Sequence, residues 1–179
     1  LQLDTDQVEL QIPAIAEDPI RLRRLSGNIN WEASENDDWY FHTNLLRIAT
    51  RDLNFSLAGD VRRETTSEST FIDLIMDLEE IDLETLVGYL PLTERFRLRS
   101  WLEKVLAGGT VHYANAAFRG YLADFPFDNN NGTFKFIAGI GGATLDYSDY
   151  WPPVDNIDGE LLFEGRTMRI RADSGRIYN

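Results

Sequence analysis

The chain has 179 residues and a mass of 20.5 kDa, room for one domain with a sizeable core. Its 43% hydrophobic and 12% aromatic content excludes a disordered chain, and the absence of Cys excludes disulfides, thiolate metal ligands and thiol nucleophiles. With 30 acidic against 17 basic residues and a net charge of -13, it lacks the dense basic face of a phosphate-backbone binder, so nucleic acid is not an expected partner.

From Gln7 to about Asp77, short segments alternate polar and apolar residues between turn signals, the pattern of antiparallel strands. Val8-Glu9-Leu10-Gln11-Ile12 alternates up to Pro13, Ala16-Glu17-Asp18-Pro19 reads as a turn, and Leu25 to Trp31 forms the next strand. Ser34 to Asp38 is a polar reversal that joins it to Trp39-Tyr40-Phe41-His42 as a hairpin. Leu45 to Ile48, Leu53 to Leu57 and Phe71 to Leu78 supply further strands, with the charged, Ser/Thr-rich run Arg62 to Ser69 as a mobile loop.

After Ile81 the period changes. Asp82 caps a helix whose Leu83, Leu86, Val87 and Leu90 fall at i, i+3, i+4 and i+7, and Pro91 closes it. Thr93 caps a second helix with the stripe Leu98, Trp101, Leu102, Val105 and Leu106, ended by Gly108-Gly109. Burying each large apolar side chain is worth roughly 1.5–3 kcal/mol, so these stripes order the helices only against a partner surface, and the sheet is the expected partner.

Strands resume over Thr110 to Gly120, followed by the Phe125-Pro126-Phe127 corner and the Asp128-Asn129-Asn130-Asn131-Gly132 turn. Thr133 to Ile140, Ala143 to Tyr147, Gly159 to Glu164 and Thr167 to Ala172 follow as successive strands, the last two joined at Gly165-Arg166. The expected fold class is α+β: one domain with a long, curved antiparallel sheet and two helices inserted between strand blocks, the divisions falling at 1–81, 82–108 and 109–179. The chain opens at Leu1 rather than Met and stops with a strand still running, so it is expected to be a piece of a longer protein. Its apolar stretches fall far short of the roughly 20 residues that span a bilayer.

Motifs for chemistry are sparse. His42 and His112 each sit alone in a predicted strand, without HExxH or paired-His spacing, and read as ordinary strand histidines. Neither Lys104 nor Lys135 is followed by Ser or Thr, and no GxSxG elbow occurs, so nucleotide and ester hydrolysis lose their usual markers. Gly139-Ile140-Gly141-Gly142-Ala143-Thr144 begins like a dinucleotide fingerprint but lies between strands, where glycines serve a bulge or bend. Asp128 to Gly132 and Asp155-Asn156-Ile157-Asp158-Gly159 lack calcium-loop spacing and read as turns. Arg95-Phe96-Arg97-Leu98-Arg99 reads as the solvated face of a packed helix rather than a membrane-surface one, since the net negative charge opposes anionic lipid. No catalytic residue, metal ligand or cofactor is nominated, and the chain is expected not to be an enzyme.

Several phrases together resemble one family, the YhdP-like branch of the AsmA-like proteins of Gram-negative bacteria. They are Gly88-Tyr89-Leu90-Pro91-Leu92, the helix end from Trp101-Leu102 to Gly108-Gly109, Arg119 to Phe127, Gly132-Thr133-Phe134, Leu145-Asp146-Tyr147, and Trp151-Pro152-Pro153 through to Gly165. The similarity covers about Tyr89 to Ile177 and is looser over the first strands, where Gly27-Asn28-Ile29-Asn30-Trp31 fits less specifically. The resemblance implies a periplasmic segment of a very long protein anchored in the inner membrane, whose β units form an open groove. Such proteins are implicated in phospholipid movement toward the outer membrane and in outer-membrane integrity. It implies no catalytic residues. The partners it implies are phospholipid acyl chains and neighbouring segments of the same parent chain.

An apolar sheet face can shelter acyl chains without desolvating polar groups. Trp31, Phe55, Leu57, Val111, Tyr113, Phe134, Phe136, Leu161, Phe163, Met168 and Ile170 alternate as one such face would. Two readings of them stand: they line a lipid groove, or they pack against the two helices and the segment is a scaffold or interaction module.

Overall fold

The computed structural model describes residues 1–10, 19–34, 36, 38–65, 67, 69–88, 98–148 and 150–177. Strands β1 (Gln2–Leu10), β2 (Ile20–Asn28), β3 (Asn30–Ala33), β4 (Trp39–Ala49), β5 (Asn54–Arg63) and β6 (Phe71–Leu78) come first. Then follow β7 (Ile81–Asp82), the helices α1 (Leu83–Gly88) and α2 (Leu98–Val105), and β8 (Leu106–Ala107). The chain finishes with β9 (Thr110–Tyr121), β10 (Thr133–Leu145), β11 (Val154–Glu164) and β12 (Thr167–Ile177).

Among the described residues the strands make one open antiparallel sheet in the order β1-β2-β4-β5-β6-β9-β10-β11-β12. β3 continues the line of β2 along β4, with the break at Ile29. β7 continues β6 along β9, and β8 pairs with the end of β10. The helical insert is therefore tied at both ends to the β9–β10 pair. The Leu83 amide donates to the Gly109 carbonyl at 3.1 Å, and the Glu84 carboxylate accepts from the Gly108 amide at 2.9 Å. The plan of strands, two helices and strands is the one expected.

Local differences trace mostly to bulges. The predicted strands at Trp39–His42 and Leu45–Ile48 are one strand, β4, with a register shift between Thr43 and Leu46 that breaks the alternation. The predicted strands Thr133–Ile140 and Ala143–Tyr147 likewise merge into β10, which ends at Leu145 before Asp146 and Tyr147, and whose register against β11 shifts between Ile140 and Ala143, with Gly142 at φ 66°. The glycine run thus lies within one strand rather than between two, and serves a bulge there, as expected. Asp155 to Gly159 is not a turn: it lies within β11, where Asn156 at φ 51° absorbs a shift between Asp155 and Asp158. Arg62 and Arg63 complete β5 instead of opening the loop. On α2, Trp101 is 40% exposed and the buried stripe is Leu102 and Val105, while the buried Leu106 already belongs to β8. The predicted signals at Pro13, Ala16–Asp18, Leu90, Pro91, Thr93 and Arg95–Arg97 lie outside the described residues.

The main core joins Leu83, Leu86 and Val87 of α1 and Leu102 and Val105 of α2 to Leu78, Val111, Ala114, Ala138, Ile140, Leu161 and Phe163 of the sheet. Leu22, Leu25 and Leu46 centre a smaller cluster toward the β1 edge. No helix among the described residues is long and apolar enough to cross a membrane.

Candidate functional site

Cross-strand partners in an antiparallel pair share a face, so the register fixes which side chains stand together. One row runs through Thr5, Leu25, Ile48, Phe55, Leu78, Ala114, Ala138, Leu161 and Ile170, across every strand of the path. The next runs through Leu3, Gly27, Leu46, Leu57, Met76, Ala116, Phe136, Phe163 and Met168. Beyond them lie Thr43, Gly59, Leu74, Phe118 and Phe134, and then Trp31, Phe41, Val61, Ile72 and Gly120. The face they form is almost wholly apolar. Its few polar members are small, and the buried Thr43 hydroxyl is satisfied by the Asn28 carbonyl at 2.6 Å.

This face is covered unevenly. Under the helices Leu78, Ala114, Ala138 and Leu161 are buried. At the other end of β9 and β10 the Phe125–Phe127 corner folds over, and its Phe127 ring occupies space that a Cβ at Gly120 or Gly132 would need. Phe118 and Phe134 join this corner, with the Phe125–Phe134 and Phe118–Phe127 ring centres each 5.2 Å apart. Between helices and corner, Phe55, Leu57, Met76 and Phe136 are only half-buried.

The expected groove residues divide accordingly. Val111, Leu161 and Phe163 are in the core, Phe163 with its ring 6.1 Å from that of Phe136. Phe55, Phe134, Phe136, Met168 and Ile170 are half-buried against that core, and Leu57 against the smaller cluster. Trp31 stands at the far end of the face, 59% exposed and stacked on Trp39 at 5.3 Å. Tyr113 is the correction: Val111 pairs with Ile140 and Tyr113 with Gly139, so the extra residue His112 turns Tyr113 onto the opposite face. Ile48, Leu46, Met76, Leu74 and Phe118 belong to the site but were not singled out. The period-two run Ile72, Leu74, Met76, Leu78 within the predicted strand carried a signal for two of these missing positions, Leu74 and Met76.

The opposite face is mostly polar, but it also carries Ile75, 57% exposed, and the half-buried Ile137 and Leu162. Asp4, Ser26, Arg47, Ser56, Asp77 and Asn115 form one row, which runs on through Ile137 and Leu162 to Arg169, and His42, Asp60, Asp73 and Arg119 form another. Asp60 accepts hydrogen bonds from the Tyr40 hydroxyl and from His42 Nδ1, the latter at 2.7 Å. The Tyr40 bond, then the His42 bond, holds the Asp60 carboxyl below its usual range, and Asp60 in turn raises His42. Both predicted strand histidines do sit in strands.

Neither a curated protein nor a solved structure matches the chain. A family model described as the YhdP protein matches residues 1–179, and with that match the chain belongs to the YhdP family.

Proposed function

We propose that this chain is a non-enzymatic, periplasmic segment of an envelope protein anchored in the inner membrane, and that its apolar sheet face shelters phospholipid acyl chains in transit between the inner and outer membranes. The carrying observation is the pair of apolar rows that cross every strand of the path, whose Phe55, Leu57, Met76 and Phe136 remain half-buried between the helices and the Phe125–Phe127 corner. An apolar face open along its middle offers methylene chains contacts that cost no polar desolvation. Membership of the YhdP family and the resemblance to AsmA-like proteins support the envelope setting.

The test is native mass spectrometry with lipid extraction on protein purified gently from a bacterial envelope. Bound phospholipid is expected, and Met76→Asp with Phe136→Asp should remove it while circular dichroism stays unchanged. A lipid-free mass for the folded wild type would overturn lipid contact. That outcome would favour the alternative of a scaffold module. The second reading rests on the covering of part of the face by α1, α2 and the Phe125–Phe127 corner, and on β1 and β12, each paired on one side only among the described residues. Such edges accept strands of neighbouring segments.

A further inference from the structure

A second concavity lies on the polar face, over β9 to β12. It is an open bowl of about 490 Å³. On its floor Tyr113 stands opposite Gly139, and a Cβ at that glycine would fall 2.3 Å from the ring, so the ring lies over the bare backbone. The Tyr113 side chain is 47% exposed, which leaves an aromatic surface to the bowl.

Around the ring the charges are arranged unusually. Glu160 and Arg171 are cross-strand partners on the same face, the placement in which opposite charges ordinarily pair. Here neither makes a hydrogen bond or ion pair among the described residues, and Asp173 on the same wall makes none either. Asp158 is held differently: its carboxylate accepts from the Gly142 amide at 3.1 Å and the Ser174 hydroxyl at 2.8 Å. Those bonds keep its carboxyl below the usual range, so it is a fixed anion. The bowl thus presents one fixed carboxylate, two uncommitted carboxylates, one uncommitted guanidinium and an aromatic face, with the His112 imidazole, 3.6 Å from Glu80, on its rim beside Asp158.

An aromatic face beside carboxylates is the recognition chemistry of an ammonium, and a free guanidinium is that of a carboxylate or phosphate. We propose that this bowl binds a small zwitterion, its ammonium over Tyr113 between Asp158 and Glu160 and its anionic group on Arg171. The ligand carries an ammonium and an anion a few bonds apart, as a free α-amino acid or a phosphoethanolamine headgroup does. The bowl is on the other side of the sheet from the apolar rows, so its test is independent of acyl-chain binding.

The experiment is a titration of the isotope-labelled chain followed by amide chemical shifts, with glycine, glycerophosphoethanolamine, methylammonium and acetate as separate probes. A zwitterion should give saturable shifts around Gly139, Glu160 and Arg171, at least about tenfold tighter than methylammonium or acetate alone, the discrimination that two charged contacts instead of one supply. Arg171→Gln should reduce zwitterion binding to the methylammonium level with the rest of the spectrum unmoved. Tighter binding of glycerophosphoethanolamine than of glycine would assign the headgroup as source, and the reverse order the free amino acid. No saturable shift with either zwitterion, or equal binding of zwitterion and methylammonium, would overturn the proposal.

Discussion

His42 and Asp60 join β4 to β5 on the polar face, with the Tyr40 hydroxyl completing the cluster. The Asp60 bond raises His42 above its ordinary value of 6.5, so the pairing stabilises fully below that value and is lost as pH climbs through the higher folded one. Asp60 is lowered from 3.8, so its contribution is present above that value and fades as pH falls through the folded one. Both act together between about 4 and 6.5. The side chains are 36% and 39% exposed, so solvent screens the pair and the stability effect is small. The expected readout is the titration of the His42 ring by NMR: Asp60→Asn should move its midpoint back down toward 6.5, and the stability gap between the two proteins should narrow as pH climbs through the His42 value, leaving the part that the Tyr40 bond supplies. An unmoved midpoint would mean that Asp60 does not hold the ring in solution. Nothing in the sequence marks this contact, because His42 and Asp60 meet only through the β4–β5 register. Tyr113 makes the same point from the other side, since one bulge residue, His112, reverses the face that plain alternation from Val111 assigns.

Elements were legible where a single rule dominates. Phe71 to Leu78 keeps apolar residues at every second position, Ile72, Leu74, Met76 and Leu78, and is the strand β6 with those bounds. The insert was legible because Leu83, Leu86 and Val87 keep helical spacing after a run of period two, and all three are buried. Bulged strands were legible only as halves, as in β4 and β10, because one extra residue resets the alternation and imitates a boundary. On α2 the stripe was read one residue too wide. Leu102 is 1% exposed within the main core, whereas Trp101 is 40% exposed and outside it. Leu102→Ala should therefore cost about 2–5 kcal/mol by cavity formation against Val111 and its neighbours, and Trp101→Ala under about 1 kcal/mol. Urea unfolding with unchanged slope would measure both. Equal losses would mean that α2 docks by its Trp101 face instead.

Across the whole molecule the alternation of separate strands adds up to a surface only when the register aligns them, and an antiparallel meander does this, with the helical insert between its neighbours β6 and β9. The two long rows place Leu57, Met76 and Phe136 along the open middle, Ala114 and Ala138 under the helices, and Arg47, Ser56 and Asn115 on the reverse side. A lipid conduit and a scaffold share these coordinates but differ in what touches which row. If acyl chains pass along this face, a photoreactive residue at Leu57, Met76 or Phe136 in the native envelope should crosslink to phospholipid. The same residue at Ser56 or Asn115, one step along the strand and facing the other way, should not, and Ala138 should be silent because α1 and α2 cover it. The parity of the signal is the informative quantity, since neighbouring positions share their depth in the envelope and differ only in face. Crosslinks at both parities would mean non-specific contact with membrane, and silence at Leu57, Met76 and Phe136 alike would leave the middle of the face to a protein neighbour. A conduit requires lipid at every second residue of β5, β6 and β10, beginning where the helices end.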